Sequence, residues 1–275
     1  MSDWKQPVEP RFTQLFVQDQ MDRNAAQGKK AQAFDTPFRF SDSGKCGRAL
    51  AYSSLSYEGE PFDAAGTFVT GLGTLLHEIV QEAILKRYPD ARFEIPSQTP
   101  TSSGHADAII PTEDLGLVLW ELKTMNGTAA KKAIGFNTKG WGEPSGPRYS
   151  TVIQSALNAQ ANGCDTIVIG HIALEAISKG LAEKWEVPEM MRFISEWIIP
   201  KEVWEPIADR EIVRQLRIID SMEDGFLPHR TVVDDDGMEI SLDPENSRYW
   251  QCQYCSYVNQ CKQDGGGEPP IKEGN

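Results

Sequence analysis

GHADAII at 104–110, followed by LVLWELKT at 117–124, decides the fold of this chain. Both runs read as short strands, and the turn-rich PTEDLG lies between them, so an antiparallel hairpin is the simplest reading. Residues two apart on a strand share a face. Glu121 and Lys123 therefore point the same way, and Asp107 on the partner strand can join them. Two carboxylates and an ammonium are costly to bury without a role. A divalent cation supplies one. Oxygen ligands from Asp107 and Glu121 suit Mg²⁺ or Mn²⁺, and such an ion polarises a phosphodiester and acidifies water. Lys123 would orient that water and stabilise developing negative charge. The D…ExK pattern is short and recurs by chance, and alone it reads equally as a solvated strand face with a salt bridge.

Upstream, Leu72, Leu75, Leu76, Ile79, Val80 and Ala83 recur at helical spacing, and Pro89 closes the segment. His77 lies off the centre of that stripe. ARFEIP at 91–96 reads as a short strand. Downstream, 149–162 reads as a helix with Val152, Ile153, Ala156 and Leu157 on one face and Gly163 as its C-cap. Gln154 sits off that face. Strands are expected at 166–174 and 192–199, and a helix over 205–222. The glycine- and proline-rich stretch 125–148 reads as one long loop. Its charges are mostly basic (Lys131, Lys132, Lys139 and Arg148 against Glu143), with Phe136 and Trp141 interleaved. Such a loop suits a single nucleic-acid strand, whose bases stack on aromatic rings; the plain alternative is a solvated connection. Asp234–Asp236 reads as a solvated turn, 1–40 as a short helix and connection, and GGGEPPIKEGN at 265–275 as a disordered tail. The order α–β–β–β–α–β with further helices gives one mixed α/β core extended at both ends.

The chain has 275 residues and a net charge of −13. That length allows one large α/β domain with a substantial core. The charge excludes binding to nucleic acid by bulk electrostatics, which needs excess Lys and Arg. It leaves room for a metal-dependent hydrolase, whose ion supplies local positive charge. No apolar run is long enough for a membrane span, and the first residues lack signal-peptide character, so a soluble, cytoplasmic protein is expected.

Five cysteines, an odd number, argue against a disulfide scaffold. Cys252, Cys255 and Cys261 crowd into ten residues, a spacing typical of metal ligation. Cys164 precedes a buried strand and reads as a core residue. Cys46 lies in a polar segment beside Lys45 and Arg48, which favour a thiolate, and is the expected fourth ligand. An all-sulfur set fits zinc or an iron–sulfur cluster equally.

His77, Asp107 in GHADA, the run Glu121-Leu122-Lys123-Thr124, and Gln154, in that order, resemble the motif series of RecB-family nucleases in the PD-(D/E)XK superfamily. They are most similar to its CRISPR-associated and phage-encoded single-domain exonucleases. The resemblance spans about 43–261. It implies a restriction-endonuclease-like mixed sheet, with 67–230 as nuclease core, 1–66 as an extension carrying the first cluster cysteine, and 231–275 as a C-terminal cysteine segment and tail. His77, Asp107, Glu121 and the Leu122 carbonyl are then metal ligands, Lys123 the catalytic lysine, and Gln154 a support for site or substrate. The family's glutamine motif usually carries a tyrosine four residues on, where this chain has Asn158.

One cysteine before the core and C-x2-C-x5-C after it are similar to the iron staple of this group and of AddB-type nucleases. This implies a [4Fe–4S] cluster joining the two ends, with zinc as the alternative. The implied activity is metal-dependent exonucleolytic cleavage of DNA, on single-stranded ends, in recombination, repair, replication or CRISPR adaptation. No GxxxxGK[ST] motif is present, so a helicase, or a recombination or CRISPR-adaptation partner, would be a separate protein. Two other readings remain. A non-catalytic nucleic-acid-binding or adaptor module stapled by zinc or iron–sulfur sits poorly with the complete His77/Asp107/Glu121/Lys123 set and with the acidic charge. A hydrolase using Cys164 with His171 or His77 lacks any local nucleophile signature.

Overall fold

The computed structural model describes residues 34–60, 64–137, 140–142, 145–243 and 250–271. Its centre is a six-stranded mixed sheet. Strand β1 (Phe38–Arg39) precedes a 3-10 turn and helix α1 (Gly47–Ser54). Helix α2 (Ala64–Arg87) leads into β2 (Arg92–Gln98), β3 (Ser102–Thr112) and β4 (Gly116–Met125). Helix α3 (Gly127–Ala133), the small hairpin β5 (Phe136–Asn137) and β6 (Gly140–Trp141), and helix α4 (Tyr149–Asn162) follow. Then come β7 (Thr166–Ala173), α5 (Lys179–Lys184), β8 (Ile194–Pro200) and α6 (Lys201–Glu223). The hairpin β9 (Thr231–Val233) and β10 (Glu239–Ser241) and two short helices, α7 (Trp250–Gln253) and α8 (Val258–Asp264), complete the chain.

The hairpin read from 104–124 forms as β3 and β4, antiparallel, in register from Thr112↔Gly116 to Ala108↔Trp120. Beyond that pair the two strands part. β4 continues instead beside β7, in parallel, as far as Met125↔Ala173. Parallel neighbours need a crossover, and α3 and α4 provide it. Two apolar layers cover the sheet. Val152, Ile153, Ala156 and Leu157 of α4 and Trp204, Ile207 and Ala208 of α6 pack on Ile109, Leu119, Ile167 and Ile169. On the opposite face Ala108, Ile110, Val118, Trp120, Leu122 and Val168 meet Val80 and Ile84 of α2. Gly163 closes α4 at φ 64°, the left-handed C-cap expected there.

Three expectations need correction. The stripe on α2 is rotated: Ile79 is 63 % exposed and Leu75 44 %, while Val80 and Ile84 face the sheet. Gly73 explains the seating, because a Cβ there would lie 3.2 Å from Thr124 Oγ1 of β4. His77, one turn further along, shares that sheet-facing side. Second, 125–148 is no continuous loop, because α3 and its C-cap bury Ala130 and Ile134 against Ala173, Ile177, Ala182 and Val187. Third, the tail is held as far as Ile271. Leu227 N–H donates to the Pro269 carbonyl and Ile271 N–H to that of Gly225. Asp234–Asp236 does form a turn, with Asp234 Oδ1 accepting the Asp236 and Met238 N–H groups. Among the described residues no helix is long and apolar enough to cross a membrane.

A buried polar knot ties the segment around Cys46 to α6. Glu211 Oε1 accepts from Gly44 N–H (3.0 Å), Arg214 Nη2 (2.8 Å) and Gln215 Nε2 (3.1 Å), while Oε2 accepts from Arg214 Nε (2.8 Å). Removing one partner of a buried pair strands the other charge at a cost of about 3–5 kcal/mol. Glu211→Ala is therefore expected to lower unfolding stability by about that amount. Urea titration followed by circular dichroism measures it. A loss under about 1 kcal/mol, the range of an exposed pair, would contradict this account of the knot.

Candidate metal and catalytic centre

The centre forms where β3 and β4 part. Asp107 and Glu121 are the first residues beyond the ladder. There a side chain takes over from the backbone: Asp107 Oδ2 accepts the Leu122 N–H at 2.9 Å. Ala106 packs with the α4-side core and Ala108 with the α2-side core, so the strand turns over at Asp107. His77 Nδ1 lies 3.7 Å from Asp107 Oδ2. Burial lowers the pKa of the His77 imidazole, against the Glu121 carboxylate, which favours its protonated form.

Glu121 is fully buried. Its Oε1 accepts from Lys123 Nζ at 2.6 Å and from Gln154 Nε2 at 2.9 Å. Lys123 Nζ also donates to Gln154 Oε1 at 3.2 Å. The helix α4 thus delivers Gln154 as a clamp on both charged groups. Glu121 Oε2 is equally buried and accepts no hydrogen bond among the described residues. An unpaired buried carboxylate oxygen is expensive, and a cation is the partner its chemistry asks for. Burial pushes the carboxyls of both Asp107 and Glu121 well up, against the relief from the Leu122 N–H and the Lys123 ammonium. Burial alone would lower the pKa of Lys123, but the Glu121 carboxylate outweighs it and the net shift is upward. A divalent ion would reverse the penalty on the two acids. The residues present therefore fit such an ion.

His77, Asp107, Glu121, Leu122, Lys123 and Gln154 are thus brought together. Asn158 is fully buried and donates from Nδ2 to the His105 carbonyl at 3.3 Å, so it binds α4 to β3. Of the basic residues, Lys131 and Lys132 are exposed on α3 and Arg148 is exposed at the N-cap of α4. Trp141 lies on β6, and Lys139 lies outside the described residues.

Sequence reading missed Glu94. It sits on β2 directly across from Asp107, between the pairs Phe93↔Ala108 and Ile95↔Ala106. Its φ is 49°, a left-handed conformation rare for glutamate. Carboxylate and imidazole atoms of His77, Glu94 and Asp107 all lie within 4.8 Å of one another. The signal was present in the turn at Pro100–Thr101: a two-residue turn there sets the β2–β3 register that opposes Glu94 to Asp107.

The cysteines form a second constellation. Cys46, Cys252, Cys255 and Cys261 line one cavity, together with Arg48, Tyr52 and Arg230. Burial raises the thiols of Cys46, Cys252 and Cys255, and their mutual proximity raises them further. Arg48 is fully buried. It donates to the carbonyls of Pro228, Gly265 and Gly267, joining α1 to the segments at 228 and 265–267 beside this cavity. Cys164 lies instead in the core, its thiol pushed up to about 12 by burial. That environment excludes it as a nucleophile.

No protein-family model matches the chain, and no curated protein matches it in sequence. Among solved structures it is similar to the protein SSO0001 at 17 % identity and a TM-score of 0.49, over 92 % of this chain and 96 % of the other. It is also similar to a phage-related exonuclease from Haemophilus somnus 129PT at 13 % identity and a TM-score of 0.46, over 70 % of this chain and 96 % of the other.

Proposed function

We propose that the chain is a metal-dependent deoxyribonuclease of the PD-(D/E)XK type that degrades DNA from an end, with preference for single strands. The observation that carries this reading is Glu121: a buried carboxylate with one oxygen held by Lys123 and Gln154 and the other without a donor among the described residues, close to the charges of Asp107 and His77. His77, Asp107, Glu121 and the Leu122 carbonyl would hold Mg²⁺ or Mn²⁺. The ion, when bound, supplies Lewis acidity toward a phosphoryl oxygen and eases deprotonation of water.

The rest is the work of the chain's own side chains. Lys123 is 31 % exposed along its side chain, and the Glu121 carboxylate holds its ammonium charged against burial. It orients the attacking water and stabilises the negative charge that builds on phosphorus oxygens. Water gives a proton to solvent as its oxygen bonds to phosphorus, one P–O bond breaks, and the departing sugar oxygen takes a proton from solvent. Gln154 fixes the Glu121 and Lys123 rotamers in one arrangement. Lys131 and Lys132 lie in the last turn of α3, the helix after β4, and with Arg148, Lys139 and Trp141 we assign them to the DNA strand. Single-strand preference and end-directed action rest on the resemblance read from the sequence.

We also propose that Cys46, Cys252, Cys255 and Cys261 hold a [4Fe–4S] cluster, with zinc the alternative metal for the same donors. The support is the donor set: four thiols line one cavity, with no carboxylate or imidazole among its described lining residues, which suits soft metal chemistry. Its role is structural, as the joint between the two ends of the chain.

Lys123→Ala is expected to reduce hydrolysis of end-labelled single-stranded DNA by about 10²–10³-fold. Wild type should need Mn²⁺ or Mg²⁺ and lose activity to chelator. Folded, metal-loaded wild type that leaves the label intact would instead favour an adaptor or binding module. Cys255→Ala should strip the bound metal and lower thermal stability. Iron, acid-labile sulfide and zinc per chain after anaerobic purification decide the case; unchanged metal content in the variant would remove Cys255 from the site.

A further inference from the structure

We propose that Glu94 of β2 is a further protein ligand of the divalent cation, so that three successive strands, β2, β3 and β4, each contribute one carboxylate. This rests on reading the centre as a metal site. At the 2.0–2.6 Å bond lengths of hard cations, two atoms on opposite sides of one ion lie about 4–5 Å apart. The ligand atoms of His77, Glu94 and Asp107 already meet that span, all lying within 4.8 Å of one another. Gln81, one helical turn beyond His77, donates from Nε2 to Glu94 Oε1 at 3.3 Å and holds the carboxylate toward the site. A separate observation supports a cation in the same centre. Glu121, which feels the charges of Asp107 and His77, keeps its buried Oε2 without a hydrogen-bond donor among the described residues, and a cation would satisfy it.

The two carboxylates differ in kind. Glu121 is enclosed and clamped by Lys123 and Gln154, so it belongs to the floor of the centre. Glu94 is exposed and reached from solvent, so it belongs to the mouth. An ion arriving from solvent meets Glu94 and His77 first and Glu121 last. Loss of Glu94 should therefore weaken the ion's hold, whereas loss of Glu121 should remove the floor.

The test is Mn²⁺ binding to the full chain with its cysteine site loaded, followed by electron paramagnetic resonance of the free ion. Wild type, Glu94→Gln and Glu121→Gln are compared at low salt and at about 0.5 M NaCl, where an exposed charge acting through solvent is screened. Glu94→Gln is expected to weaken Mn²⁺ binding by about tenfold or more, and the loss should persist at high salt. No loss, or a loss that disappears at high salt while Glu121→Gln still binds weakly, overturns Glu94 as a ligand and leaves the metal centre standing. Wild type that binds no Mn²⁺ overturns the centre and this ligand together. Should Glu94→Gln not fold, Glu94→Asn carries the same test, because asparagine tolerates the left-handed backbone.

Discussion

A carboxylate placed where a β-ladder stops is the constraint on which the rest of this structure depends. Glu121 has no contact with solvent, and a buried charge persists only with partners. Lys123 and Gln154 satisfy one oxygen from two directions, one from the same strand and one from a helix that crosses over to reach the next strand. The crossover is therefore more than a connection. Without α4 packed on this face, Glu121 would lose a donor and Lys123 an acceptor in one step. The core beneath α4 serves the same end, since Ile153 and Leu157 hold the helix at the height where Gln154 reaches the strand.

Parting of β3 from β4 creates the second requirement. Strands that separate leave backbone groups unpaired, and such groups must find partners when buried. The Asp107 carboxylate fills that role for the Leu122 N–H. One side chain thereby closes the gap in the sheet and places its remaining acceptor capacity beside His77. His77 reaches the gap because α2 lies close to β4, an approach that Gly73 permits. Sheet, helix and site are consequently one geometric problem.

The sequence made the local parts of this solution legible. Two strand-like runs and the turn between them located β3 and β4, and a glycine in the left-handed region closed α4 where 149–162 predicted. Matters of orientation and register were harder. The stripe assigned to α2 counted every apolar residue, yet Leu75 and Ile79 face solvent, because the close seat at Gly73 decides which side meets the sheet. Glu94 looked like an ordinary strand acid until the β2–β3 register set it against Asp107. Glycine and proline made 125–148 resemble a loop, but the run of small residues in α3 had a matching pocket formed by residues more than forty positions later in the chain. The tail failed for the same reason: its order comes from Arg48 and from strand-like pairing at Phe226↔Pro270, neither of which is local.

The cysteine cavity and the carboxylate centre use different chemistry, but packing couples them. Cys46 follows Gly44, whose N–H is held by Glu211 of α6. Gly44 also lies so near α4 that a Cβ there would stand 2.9 Å from Ile153 Cδ1. Ile153 immediately precedes Gln154. A loop that ties the first cysteine to the C-terminal three therefore also braces the helix that clamps Glu121. On the reading proposed above, a metal at the cysteines would need no redox change to bear on the carboxylate centre. Holding the Cys46 loop against α4 is sufficient, because any retreat of that loop opens space beside Ile153, and the residue next to it is the one that Glu121 and Lys123 share.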